Sequence, residues 1–122
     1  MLNPEDFEAL VVEAVAGIPD QILGYLRNVA ITVERWPTAA QLAHSGVGAG
    51  YTLFGLYEGI PLIRRDSGYN LAPPDRITIF QGPIEQFFRT PEAIREQVRK
   101  TVLHEIAHHF GFDEREIRDL GY

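Results

Sequence analysis

Apolar residues recur at three- and four-residue steps in two stretches, Phe7 to Ile18 and Ile94 to Phe110, while the segments between keep other rhythms. Phe7, Leu10, Val11, Ala14, Val15 and Ile18 form one stripe, the pattern of an amphipathic helix facing a core. Asn3-Pro4-Glu5-Asp6 marks its start with a capping amide, proline at the first helical position and acids at the positive helix end. Gly17 stands near its exit, and Pro19-Asp20 opens a second short helical piece through Leu26. Val29, Ile31 and Val33 alternate with Ala30, Thr32 and Glu34, the period of a half-buried strand, which Trp36-Pro37 ends.

Residues 38–50 read as the loosest part of the chain, a mobile loop ending in Ser45-Gly46-Val47-Gly48-Ala49-Gly50. Its alternate glycines fit neither the P-loop nor the dinucleotide fingerprint, and no lysine follows them. His44, alone in this stretch, reads as a surface residue. Thr52 to Tyr57 is apolar on both faces, as for an inner strand. Glu58-Gly59 then turns the chain into a second arm, Ile60 to Ile63, which Pro61 demotes to a sheet edge or a brief extension. A polar loop over 64–74 leads to a strand at Arg76–Phe80, closed by Gly82-Pro83, with a short turn of helix expected from Pro83 to Phe88.

Thr90-Pro91-Glu92 opens a long helix that no glycine or proline interrupts before Gly111. Ile94, Val98, Val102 and Ile106 form its apolar ridge, joined by Leu103, Ala107 and Phe110. Arg95, Glu96, Arg99 and Lys100 form its wet face, where Glu96 and Lys100 stand at pairing distance.

The last turns of that helix carry the chemistry: His104-Glu105-Ile106-Ala107-His108, an HExxH motif. Residues four apart lie on one helical face, so His104 and His108 can offer two imidazoles to a single ion. Imidazole binds zinc at about 2.0–2.1 Å, and a catalytic site has three protein ligands and one open position. Glu105, beside them, can take a proton from water held in that position. The plainer alternative is that such histidines favour the negative end of a helix or sit satisfied in a core. Three of the four histidines fall within residues 104–109, which speaks for the metal site.

A third donor is needed. Gly111 ends the helix, and Glu114 stands where the extended pattern HExxHxxGxx(H/D) places its last ligand. Asp113 is the rival, although Asp113 and Glu116 also make a D-x-x-E capping pair for a final helix with Ile117 and Leu120 inward. Glu114 is therefore favoured as the ligand and Asp113 as the cap. His109 points away from the His104/His108 face.

Length and composition set the outer bounds. The 122 residues make one domain, 1–122, and 45% hydrophobic with 23% charged residues suits a globular protein. A net charge of −6 argues against nucleic-acid and anionic-membrane partners. The absence of cysteine leaves histidine and carboxylate to hold any zinc. No apolar run has the length of a membrane span, and MLNPEDFEAL lacks the layout of a signal peptide, so a cytoplasmic location is expected.

The run HEIAHHFGFDEREIRDLG, with GLYEGIPL and PDRITIF upstream, resembles the small bacterial minimal-zincin, metallopeptidase-like proteins. The resemblance covers the whole chain, and its HExxHxxG part is the specific one. It implies an α+β fold: a minimal zincin-like arrangement with a small mixed β-sheet packed against the HExxH helix and an N-terminal helix behind. It also implies Zn²⁺ on His104 and His108 with Glu105 as the base. The family pattern HExxHxxGxxD has aspartate where this chain has Glu114, one methylene longer.

Two functions compete on these residues. The first is zinc-dependent hydrolysis of a peptide or protein substrate lying extended beside the strand at 76–80, with Tyr51, Tyr57, Tyr69 or Arg76 as oxyanion donor. The second is a non-catalytic, metal-stabilised binding or regulatory module. Glu105 favours the enzyme, because a purely structural metal site gains nothing from an acid in that slot.

Overall fold

The computed structural model describes residues 2–18, 20, 24, 29–45, 53–59, 75–109 and 114–119; the side chains of residues 108, 109, 114, 117 and 118 lie outside that description. The elements are α1 (Pro4–Ala16), β1 (Val29–Glu34), α2 (Ala39–Ser45), β2 (Gly55–Glu58), β3 (Asp75–Phe80), α3 (Gln81–Phe87), α4 (Pro91–His109) and α5 (Glu114–Asp119). The combination of helices with a small mixed sheet is the expected α+β class.

The three strands lie in the order β1-β3-β2. β1 runs parallel to β3, Val29 opposite Asp75 through Glu34 opposite Phe80, and β2 runs antiparallel to it, Gly55 opposite Ile79 through Glu58 opposite Arg76. Within the described sheet the inner strand is therefore β3, and the apolar stretch ending at Tyr57, expected to be interior, supplies a four-residue strand at its edge instead. β3 shows why: Ile77, Thr78, Ile79 and Phe80 are all fully buried, so both of its faces are covered. Alternation of apolar and polar residues suggests a half-exposed strand. Thr78 breaks that rule by pairing its hydroxyl with that of Thr32 on β1, at 3.3 Å, which lets a polar side chain be buried at low cost.

α4 packs on α1 and on β2 and β3 of the sheet. Phe7, Leu10, Val11 and Ala14 from α1, Ile94, Val98, Val102, Leu103 and Ile106 from α4, and Ile77 and Ile79 from β3 make one core, against which Val29, Ile31, Val33 and Tyr57 lie. Both helices begin as their sequences dictate. The Asp6 amide donates to Asn3 Oδ1 at 2.8 Å, and the Ala93 amide to Thr90 Oγ1 at 3.1 Å. On the wet face Glu96 pairs with Arg99, three residues on, rather than with Lys100. That bond is the main reason the Glu96 carboxyl is held below its ordinary value.

The stretch expected to be a loop at 38–50 begins with a helix, α2. Thr38 and Gln41 form a reciprocal cap: Thr38 Oγ1 accepts from the Gln41 amide at 3.0 Å and Gln41 Oε1 from the Thr38 amide at 2.8 Å. His44 is exposed on it, as expected. α3 starts at Gln81, directly after β3, two residues before Pro83. The second helical piece at 19–26 falls almost wholly outside the described residues, as do the glycine run 46–50, the arm 60–63 and the loop 64–74.

Candidate metal and catalytic site

α4 brings the HExxH residues to the sheet. Its ridge is anchored by Val98 and Val102, both fully buried, and by Ile106, so its last turns extend a fixed stem. His104 and His108 sit one turn apart on this continuous helix. His104 is half-buried. The His108 and Glu114 side chains lie outside the described residues, as does all of Asp113, and no group of three potential metal donors occurs among the described residues. The final helix forms at Glu114–Asp119, immediately after Asp113.

Glu105 is the best-defined residue of the motif. Only 6% of it is exposed, and its Oε1 accepts the Tyr57 main-chain N–H of β2 at 3.2 Å. The strand geometry explains this contact. The Phe80 amide donates to Phe54 O at 2.9 Å, so in the antiparallel register residues 54, 56 and 58 turn their N–H and C=O groups toward β3. Residues 55 and 57 turn theirs outward, and Glu105 meets the outward N–H at 57. The acid of HExxH thus ties α4 to the outer edge of β2.

Gly55 makes the approach possible. A Cβ there would stand 2.5 Å from Thr101 Cγ2, 3.2 Å from Thr78 O and 3.6 Å from Glu105 Cγ. Thr101, one turn before Glu105, is fixed in turn: its hydroxyl donates to Gln97 O at 2.8 Å and accepts from Gln97 Nε2 at 3.1 Å. Sequence reasoning missed Gly55, although a glycine interrupting an apolar strand is a recognised sign of close backbone approach.

Two of the suggested oxyanion donors are engaged elsewhere. The Tyr57 hydroxyl donates to Asp75 Oδ2 at 2.7 Å. Arg76 points to the sheet face opposite Ile77 and pairs with Glu58 at 3.0 Å. Tyr51 and Tyr69 lie outside the described residues. The idea of a substrate strand adding to residues 76–80 is also overturned: β3 is paired on both sides, with β1 and with β2.

A helix carrying HExxH, seated on the edge strand of a small mixed sheet, is the arrangement of a zincin-like scaffold. The chain belongs to the zincin-like metallopeptidase family, whose model matches residues 26–122. A conserved hypothetical protein from Thermus thermophilus shares the fold, with a TM-score of 0.59 and 22% identity over 89% of this chain and 94% of that one. No curated protein matches the chain. Among the described residues no helix is long and apolar enough to cross a membrane.

Proposed function

We propose that the protein is a zinc-dependent metallopeptidase that hydrolyses peptide bonds, with Glu105 as general base. The observation that carries this reading is the seat of Glu105: a buried carboxylate one residue from His104, fixed against an edge strand by a main-chain donor. Preorganisation of this kind lets a base meet its proton without first reordering its surroundings. Family membership supports the same conclusion.

The donor types fit zinc. His104, His108 and Glu114 would hold it, two imidazoles and a carboxylate, and a half-buried His104 at the helix surface suits a site that keeps contact with solvent. When bound, zinc supplies an acidified water and a polarised carbonyl. Glu105 would take a proton from the attacking water and pass it to the leaving amine. An extended substrate would not add to β3, whose two sides are taken by β1 and β2.

A second reading, a metal-stabilised binding or regulatory module, draws support from one observation. Glu105 has structural work to do, because it joins α4 to β2. The presence of an acid in that slot therefore no longer separates enzyme from module.

The experiment that does so uses Glu105→Gln. Glutamine keeps an Oε1 acceptor for the Tyr57 amide and loses the base. Turnover in a peptide-library screen is expected from the wild-type protein and absent from Glu105→Gln, with fold and zinc content retained. Equal turnover by the variant would remove Glu105 as base. One zinc per chain is expected by elemental analysis, lost in His104→Ala and in His108→Ala. Unchanged zinc in those variants would remove the site.

A further inference from the structure

Asp75 is 1% exposed at the start of β3, and the hydrolytic reading makes no use of it. Burying a carboxylate costs several kcal/mol unless donors meet it, so its place in the core needs a reason. Its Oδ2 accepts the Tyr57 hydroxyl at 2.7 Å, while the main-chain N–H of Tyr57 donates to Glu105 Oε1 at 3.2 Å. One residue of a short edge strand thus joins two buried carboxylates. Gly59 belongs to the same construction: its φ of 151° and the Asp75 carboxylate packed where a Cβ would stand both require glycine.

We infer that Asp75 and Tyr57 are positioning residues for Glu105: Asp75 fixes the phenol, the phenol fixes residue 57 of β2, and the N–H of that residue fixes the carboxylate of the base. The described pairing of β2 with β3 spans only four residues, so its ladder bonds constrain it weakly. A side-chain anchor at its third residue limits its lateral motion, and with it the motion of the donor that Glu105 depends on. The inference rests on the hydrolytic reading for the role of Glu105, but the relay itself can be tested without activity.

The test is amide hydrogen exchange on the full chain, read at residue 57 and normalised to the buried β3 amides of Ile77 and Ile79. The 57 N–H faces away from the β3 ladder and donates to Glu105, so its protection reads that bond. Glu105→Ala is expected to lower its protection about 10- to 100-fold, the worth of a hydrogen bond to a charged acceptor. Tyr57→Phe and Asp75→Ala should each lower it several-fold, and Asp75→Asn, which still accepts from the phenol, should restore most of it. Unchanged protection in Glu105→Ala, or in Tyr57→Phe, overturns the relay. If an Asp75 variant fails to fold, Tyr57→Phe, which removes a single oxygen, decides the matter alone. Where peptide turnover is measurable, Tyr57→Phe should lower kcat with KM little changed. Wild-type protein with this exchange pattern and no turnover would count against hydrolysis and leave the relay standing.

Discussion

Replacing Gly55 with alanine should separate α4 from β2. The new Cβ would lie 2.5 Å from Thr101 Cγ2, and carbon atoms settle at about 3.5–4.0 Å, so one of the two must move by about 1 Å. Thr101 cannot rotate away freely, since its hydroxyl makes two hydrogen bonds to Gln97 and the residue is 6% exposed. The strand cannot retreat easily either, because Thr78 O of β3 stands 3.2 Å from the same position. Overpacking of this kind costs about 1–3 kcal/mol, partly offset by the roughly 0.4–1 kcal/mol that alanine gains over glycine through the unfolded chain. A net loss of about 1–2 kcal/mol lowers Tm by roughly 3–10 °C in a domain of this size. The assay is urea or thermal unfolding of a double-mutant cycle with Thr101→Ser, which deletes Cγ2 and keeps the hydroxyl. In that background Gly55→Ala should cost clearly less. A Gly55→Ala protein as stable as the parent, or a cost that Thr101→Ser does not reduce, would refute the close-approach account.

Phe7→Ala should cost about 3–5 kcal/mol by denaturant titration, because Phe7 is fully buried between α1 and the rest of the core. A loss below about 1 kcal/mol would show that this core can collapse around the gap. Glu96 titrates below its ordinary value of 4.5, chiefly through its bond to Arg99. A carboxylate shifted down stabilises the fold above its unfolded pKa and loses that contribution as pH falls through the lowered value. Arg99→Gln should therefore lower stability at neutral pH and match the parent in strong acid, with the gap narrowing at high salt because the pair is exposed.

The long-range periodicities outline this fold. Both core helices, their caps and the strand limits at Val29 and Phe80 can be placed from residue types alone, because a 19-residue amphipathic helix with a Thr-Pro-Glu start has few competing readings. Strand order is harder. Apolar content alone makes residues 52–57 look interior, and the deciding fact, that Thr78 is buried by sharing a bond with Thr32, joins residues 46 apart. α2 is hidden by the glycines that follow it, although Thr38-x-x-Gln41 is a readable capping box. At the site, HExxH points to the right helix turn. What the motif cannot say is that its acid reaches the edge strand, since the Tyr57 partner is a main-chain N–H and leaves no trace in residue type.

The strand order also governs when the molecule can acquire its shape. Within the described sheet β1 and β2 share β3 as their common neighbour, so neither can settle there until residue 75 and its successors arrive. α1 likewise waits for α4, which begins only at Pro91, before its apolar stripe finds shelter. Assembly by distant pairings must close large loops before any contact rewards them, which slows folding relative to a chain of local contacts. A nascent chain halted before Asp75 would hold β1 and β2 without the strand they share and α1 without α4, the state in which a chaperone has most to offer.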